Sequence, residues 1–162
     1  MTTDQERPVR ELPGAVEFTK TITEFDVYSF AGITGDFYPV HINAVYAARQ
    51  PVGERVAHGS LIIGLMSTAG GLWMLKNGID GLSRGYDRVR FVRPVRFGDT
   101  ITLAQAKVDQ SQDGRRIDCR VEARNQDGEV VAVAHHLIWN SAPLTGHGLP
   151  ALGHEDNRSG GG

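Results

Sequence analysis

From Gly59 to Leu75 the chain carries no charge, in the run "GSLIIGLMSTAGGLWML". Between His58 and Asn77 the residues Leu61, Ile62, Ile63, Leu65, Met66, Leu72, Trp73, Met74 and Leu75 cover most of a helical circumference. That pattern predicts a helix surrounded by protein, roughly 28 Å long at 1.5 Å per residue. A membrane-spanning helix needs about 20 predominantly apolar residues. This run is shorter, and Ser60, Ser67, Thr68 and internal glycines dilute it, so a buried core helix is expected. Gly78 is its expected stop, preceded by Lys76 in the last turn, where a cation suits the helix dipole.

A helix apolar nearly all round must be wrapped by a sheet, and the remaining sequence supplies one. In "RRIDCRVEARNQDG" Ile117, Cys119, Val121 and Ala123 alternate with Asp118, Arg120, Glu122 and Arg124, the period-two pattern of a half-exposed antiparallel strand. "EVVAVAHHLIW" is more uniformly apolar. Asp113-Gly114 and Asp127-Gly128 are hairpin signals, so three consecutive strands are expected, preceded by another around residues 87–92. Pro94 and Gly98-Asp99 mark a bend. Near the start, "AVEFTKTI" reads as a short strand with Val16 and Phe18 on one side. Thr23 with Asp26 resembles a capping box opening a helix that Gly32 or Gly35 can stop.

At 162 residues the chain suits a single domain, expected over 15–140, with a polar lead over 1–14 and a Gly-, Pro- and His-rich tail over 141–162. A formal net charge of −2 gives no general attraction to nucleic acid or anionic membrane, so neither is expected as a partner. Cys119 is the only cysteine, which excludes an internal disulfide and a cysteine-based zinc site. With no secretory signal in its polar beginning, the chain is expected in the cytoplasm.

Chemistry concentrates in "GDFYPVHINAVYAAR". Pro39 disfavours helical geometry at Tyr38, so residues 36–41 are expected as an ordered loop carrying Asp36 and His41, followed by a short helix in "NAVYAARQ". An aspartate after a glycine at a helix exit is more often a turn residue than a catalyst. What distinguishes this one is the company of His41 and of His58-Gly59 at the start of the uncharged helix.

These residues, in "FAGITGDFYPVHINAVYA" and "VAHGSLIIGLMS", resemble the hydratase motif of MaoC-like dehydratases and (R)-specific enoyl-CoA hydratases. Gly35, Asp36, Pro39, Val40, His41, His58 and Gly59 match the family pattern, and Tyr38 replaces its usual asparagine. The likeness covers about residues 30–67 in motif and 15–140 in layout. It implies an α+β hot-dog fold, a curved antiparallel sheet around one long helix. It also implies a lyase interconverting 2-enoyl and 3-hydroxyacyl thioesters without a metal or organic cofactor, coenzyme A entering as part of the substrate.

Such a reaction needs a base for water, an acid for the α-carbon and a donor for charge on the thioester oxygen. The resemblance implies that Asp36 and His41 hold the water, with Asp36 the expected base and His41 the proton donor. Gly59 at a helix N-terminus is the expected backbone oxyanion donor, and by the resemblance Ser67 supports the aspartate. Tyr38 is a candidate substrate contact, and His58 is read as structural, with substrate contact as its alternative. Arg90 and Arg93, from the arginine-rich "RGYDRVRFVRPVR", are candidate phosphate contacts to coenzyme A or an acyl carrier protein. His135 and His136 are adjacent on a strand and point to opposite faces, so no metal site is expected. A homodimer or higher homo-oligomer is expected, because an exposed edge strand is a liability unless covered. The alternatives are a hot-dog acyl-CoA thioesterase, or a catalytically weak subunit that only binds acyl thioesters.

Overall fold

The computed structural model describes residues 7–143. The first six residues and the tail from residue 144, with His147 and His154, lie outside the described residues. A short 3-10 turn (Val9–Glu11) leads into β1 (Val16–Thr21), then α1 (Glu24–Thr34), two helical turns α2 (Pro39–Ile42) and α3 (Ala44–Ala47), and the long α4 (Gly59–Lys76). Four strands follow: β2 (Gly81–Phe91), β3 (Thr100–Gln110), β4 (Arg116–Arg124) and β5 (Val130–Asn140). They form one antiparallel sheet in the order β1-β3-β4-β5-β2, leaving β1 and β2 at the edges.

The local signals act as expected. Thr23 and Asp26 close a reciprocal capping box, Thr23 N–H donating to Asp26 Oδ2 at 2.8 Å and Asp26 N–H to Thr23 Oγ1 at 3.3 Å. Gly35, not Gly32, ends α1, in the left-handed region at φ 77°, where a side chain would clash with its own backbone. Gly114 and Gly128 turn the two hairpins, also at positive φ.

Ile22, Met66, Ile101, Leu103, Val121 and Ala134 are among the residues of the main core between α4 and the sheet. Two expectations need correction. First, α4 is not surrounded by its own chain: Ile62, Leu65, Met66, Ala69, Gly70 and Trp73 face inward, but Ser60, Gly64, Ser67, Thr68, Leu72 and Leu75 are exposed. Apolar residues all round a helix report that burial is favourable on every side, not that one chain provides all the cover. Second, β4 is not simply half-exposed. The lead folds back so that Val9 and Leu12 are buried against Ala104 and Ala106, and Glu122 on the polar side of β4 is buried beside Arg124, whose Nε donates to Glu122 Oε1 at 2.7 Å. Among the described residues no helix is long and apolar enough to cross a membrane.

Candidate active site

The Gly35 turn delivers the chain into the segment carrying Asp36. There Tyr38 N–H donates to Asp36 Oδ1 at 3.2 Å, and the Asp36 side chain remains about half exposed. His41 is on α2 rather than in a continuous loop as expected, because Pro39 occupies the first turn of that helix, where its fixed φ and missing N–H are tolerated. His41 Nδ1 is 2.7 Å from the Val56 carbonyl oxygen. A carbonyl only accepts, so Nδ1 carries hydrogen and Nε2 of the neutral ring is left with its lone pair. Burial is the main influence lowering the His41 pKa below 6.5; the Val56 bond opposes it, His58 adds to it and Asp36 opposes it.

His58 caps α4 and is 1% exposed. Its Nε2 donates to the Asp36 backbone carbonyl at 2.9 Å and lies 4.0 Å from Asp36 Oδ2. Its ring packs on His41 at 3.8 Å and against Phe30 at 5.0 Å. His58, with substrate contact as its alternative reading, is thus turned inward and holds the Asp36 segment against the start of α4. Asp36, His41 and His58 bring one ligating atom each within 4.8 Å of one another. The hydrogen that the Asp36 carbonyl requires on His58 Nε2 removes that lone pair from any cation, so the cluster is better suited to moving protons.

Gly59 opens α4 with no side chain capping its first turn. A Cβ there would come within 2.6 Å of the Phe91 ring, so a side chain at this helix end would have to displace that half-exposed ring. The same residues line a cavity of about 130 Å³ with Ala57, Ile62, Val95 and Arg93. Phe91 was missed in the sequence because an apolar residue ending a strand carries no local sign of what it touches.

The other expected residues are less closely gathered. Tyr38 presents its ring edge to His41 at 6.1 Å, and its hydroxyl is 3.4 Å from that of Tyr46. Ser67 is exposed and lies beside Tyr86, while the Asp36 carboxylate accepts from the Tyr38 N–H. Arg90 donates to the neighbouring Val89 carbonyl. Arg93 donates to the Val130 carbonyl at 2.8 Å and pairs with Glu129 at 3.5 Å.

A model of the MaoC-like domain matches residues 9–129, three quarters of the chain. The chain belongs to this family. It is 36% identical over 88 residues to the (R)-specific enoyl-CoA hydratase of Rhodospirillum rubrum, covering 54% of this chain and 59% of that one. It is 36% identical over 97 residues to the 3-hydroxybutyryl-CoA dehydratase of Methylorubrum extorquens, covering 60% of each. The matches thus span about 60% of the length of these two curated relatives. Among solved structures, the unliganded (R)-hydratase PhaJ1 of Pseudomonas aeruginosa superposes with a TM-score of 0.70 at 29% identity, over 90% of this chain and 95% of that one. An (R)-hydratase from A. caviae at 22% identity and TM-score 0.70 shares the fold. The MaoC-like domain here has the hot-dog fold that the motif implied.

Proposed function

We propose that this MaoC-like protein is a hydro-lyase that adds water reversibly to 2-enoyl thioesters, giving 3-hydroxyacyl thioesters, with coenzyme A as the thiol. The observation that carries this reading is the half-exposed Asp36 carboxylate beside a His41 ring whose Nδ1–H is fixed on Val56. The names of the curated relatives support the same reaction.

With hydrogen on Nδ1, our reading assigns the two roles the other way round from the division expected from the sequence. Neutral His41 is an acceptor at Nε2, so in hydration it takes a proton from water while the water oxygen bonds to C3. The C2=C3 electron pair moves onto the thioester oxygen, which faces the uncapped N–H groups at Gly59. The imidazolium then returns its proton from Nε2 to C2, and the thioester carbonyl re-forms. Asp36 holds the second hydrogen of the water and stabilises the transient imidazolium. No metal or organic cofactor enters these steps.

The bare side of α4 and the free edge of β2, where Leu75 is 80% and Leu82 71% exposed, support the homodimer as the working form. Sedimentation showing only monomer would count against that assembly.

The deciding experiment follows loss of enoyl-thioester absorbance with a panel of 2-enoyl-CoAs while free thiol is monitored, with Asp36→Asn alongside. Hydration without thiol release, lost in the folded variant, is the expected result. Thiol release would indicate a hydrolase instead, and full activity in Asp36→Asn would remove the carboxylate from the mechanism.

A further inference from the structure

Tyr38 is the position at which this chain leaves the family's motif, a phenol standing where the pattern has an asparagine. Asparagine brings a small amide that hydrogen-bonds readily with water. Tyrosine brings a large apolar ring with one polar tip. What that exchange does depends on where the ring lies and how firmly it is held.

The backbone of Tyr38 is fixed on both sides. Its N–H donates to Asp36 Oδ1 at 3.2 Å, and its carbonyl accepts the His41 N–H at 3.0 Å. Its φ of −57° and ψ of 128° lie outside helical geometry, as a following proline favours. From this anchor the side chain reaches two rings. It meets His41 at 6.1 Å and 69°, and Tyr46 at 6.2 Å and 72°, both within the range of edge-to-face aromatic pairs. The phenol oxygens of Tyr38 and Tyr46 are 3.4 Å apart, long for a hydrogen bond between hydroxyls. The ring, more than the hydroxyl, is therefore what Tyr38 brings to His41.

His41 is otherwise enclosed by the buried His58 ring, packed on it at 3.8 Å, and by the Val56 carbonyl at Nδ1. Tyr38 adds apolar cover on a side that an asparagine would leave wet. Charging an imidazole in such a place forfeits hydration, and burial is the main influence lowering the His41 pKa. Of the titratable groups facing the ring, Asp36 beyond the end of α1 favours the imidazolium and His58 at the start of α4 disfavours it. Tyr46, on α3, touches Tyr38. We propose that Tyr38 is a positioning residue: its ring keeps water from one side of His41 and so holds the imidazole as the neutral proton acceptor that hydration needs. The proposal rests on the hydratase reading above and deepens it by naming what keeps its base ready.

The test is an NMR titration of the His41 ring in the full chain, with the resonance assigned by its loss in His41→Asn. Tyr38→Phe, Tyr38→Asn and Tyr38→Ser are titrated beside the unaltered protein. Tyr38 is half exposed, so smaller residues should leave the fold intact, which circular dichroism checks; the serine variant serves where the asparagine one does not fold. Tyr38→Phe keeps the ring and should titrate with the unaltered protein. Tyr38→Asn and Tyr38→Ser open the ring to water, so His41 should titrate at higher pH in each. The acid limb of crotonyl-CoA hydration should move the same way, whatever becomes of its height. A titration that stays level or falls in either opened variant, or one that rises as far in Tyr38→Phe, would overturn the proposal; a fall would mean that the phenol favours the imidazolium. The titration needs no substrate, so the two failures are told apart: loss of the shielding shows in the His41 resonance, and loss of the reaction in the hydration assay of the unaltered protein.

Discussion

Asp36, His41 and His58 at the start of α4 and Tyr86, Gln105 and His136 beside its middle turns are both histidine clusters, yet they differ in what their ring nitrogens can do. His41 has one nitrogen fixed on a backbone carbonyl and the other left with its lone pair near a half-exposed carboxylate. His136 has both nitrogens engaged by side chains, and burial pushes its pKa down to about 4. The same imidazole is a proton exchanger in one place and a locked neutral strut in the other. The difference lies in which atoms face it and whether water reaches them.

Replacing His41 with Asn should give the largest effect, a fall in turnover of about 10²–10⁴-fold, the usual contribution of a positioned acid–base group, with the fold retained by circular dichroism. A comparable loss for a His136 substitution that leaves the protein folded would erase the contrast.

The second effect concerns stability. His136 is held neutral, with a folded pKa of about 4 against an ordinary value of 6.5. The unfolded chain therefore binds the extra proton first as pH falls. Stability from this group is complete above pH 6.5 and is lost as pH falls towards 4, by about 3 kcal/mol. Urea titrations between neutral and acid pH should show the loss, and His136→Gln should flatten it.

A Gly59→Ala change would drive a methyl group into the Phe91 ring. That ring is half exposed and can swing aside, so the change should cost no more than about 1 kcal/mol while reducing turnover, and Phe91→Ala in the same chain should recover the stability. Thermal melts of the single and double variants check this coupling.

The smallest effect is a shift in titration. His41 should titrate below 6.5, and hydration should decline as pH falls through that point. The Asp36 charge favours imidazolium, so an NMR titration of the His41 ring in Asp36→Asn should move lower still. A shift upward would mean that the carboxylate does not face the ring.

Much of this was legible in the sequence because it depends on near neighbours. The Thr23–Asp26 box, the Gly35 stop, the two Asp-Gly hairpins and the uncharged α4 are all local events of backbone preference and periodicity. The motif placed Asp36, His41 and Gly59 together. It could not show that Pro39 would open a helical turn under His41, or that Ser67 would lie beside Tyr86.

The sequence by itself determined the strands and the longer helices, their order and the family, since hydrophobic period and turn residues act over a few positions. Only the tertiary structure decided the tautomer of His41, through the Val56 carbonyl 15 residues away. It alone brought Phe91 onto Gly59 and placed Gln105 and Ser83, 31 and 53 residues distant, on the two nitrogens of His136. The physical reason is that periodicity reports which face of an element avoids water. Which atoms meet that face is set by how the elements pack, and for α4 that leaves one side on its own sheet and the other bare.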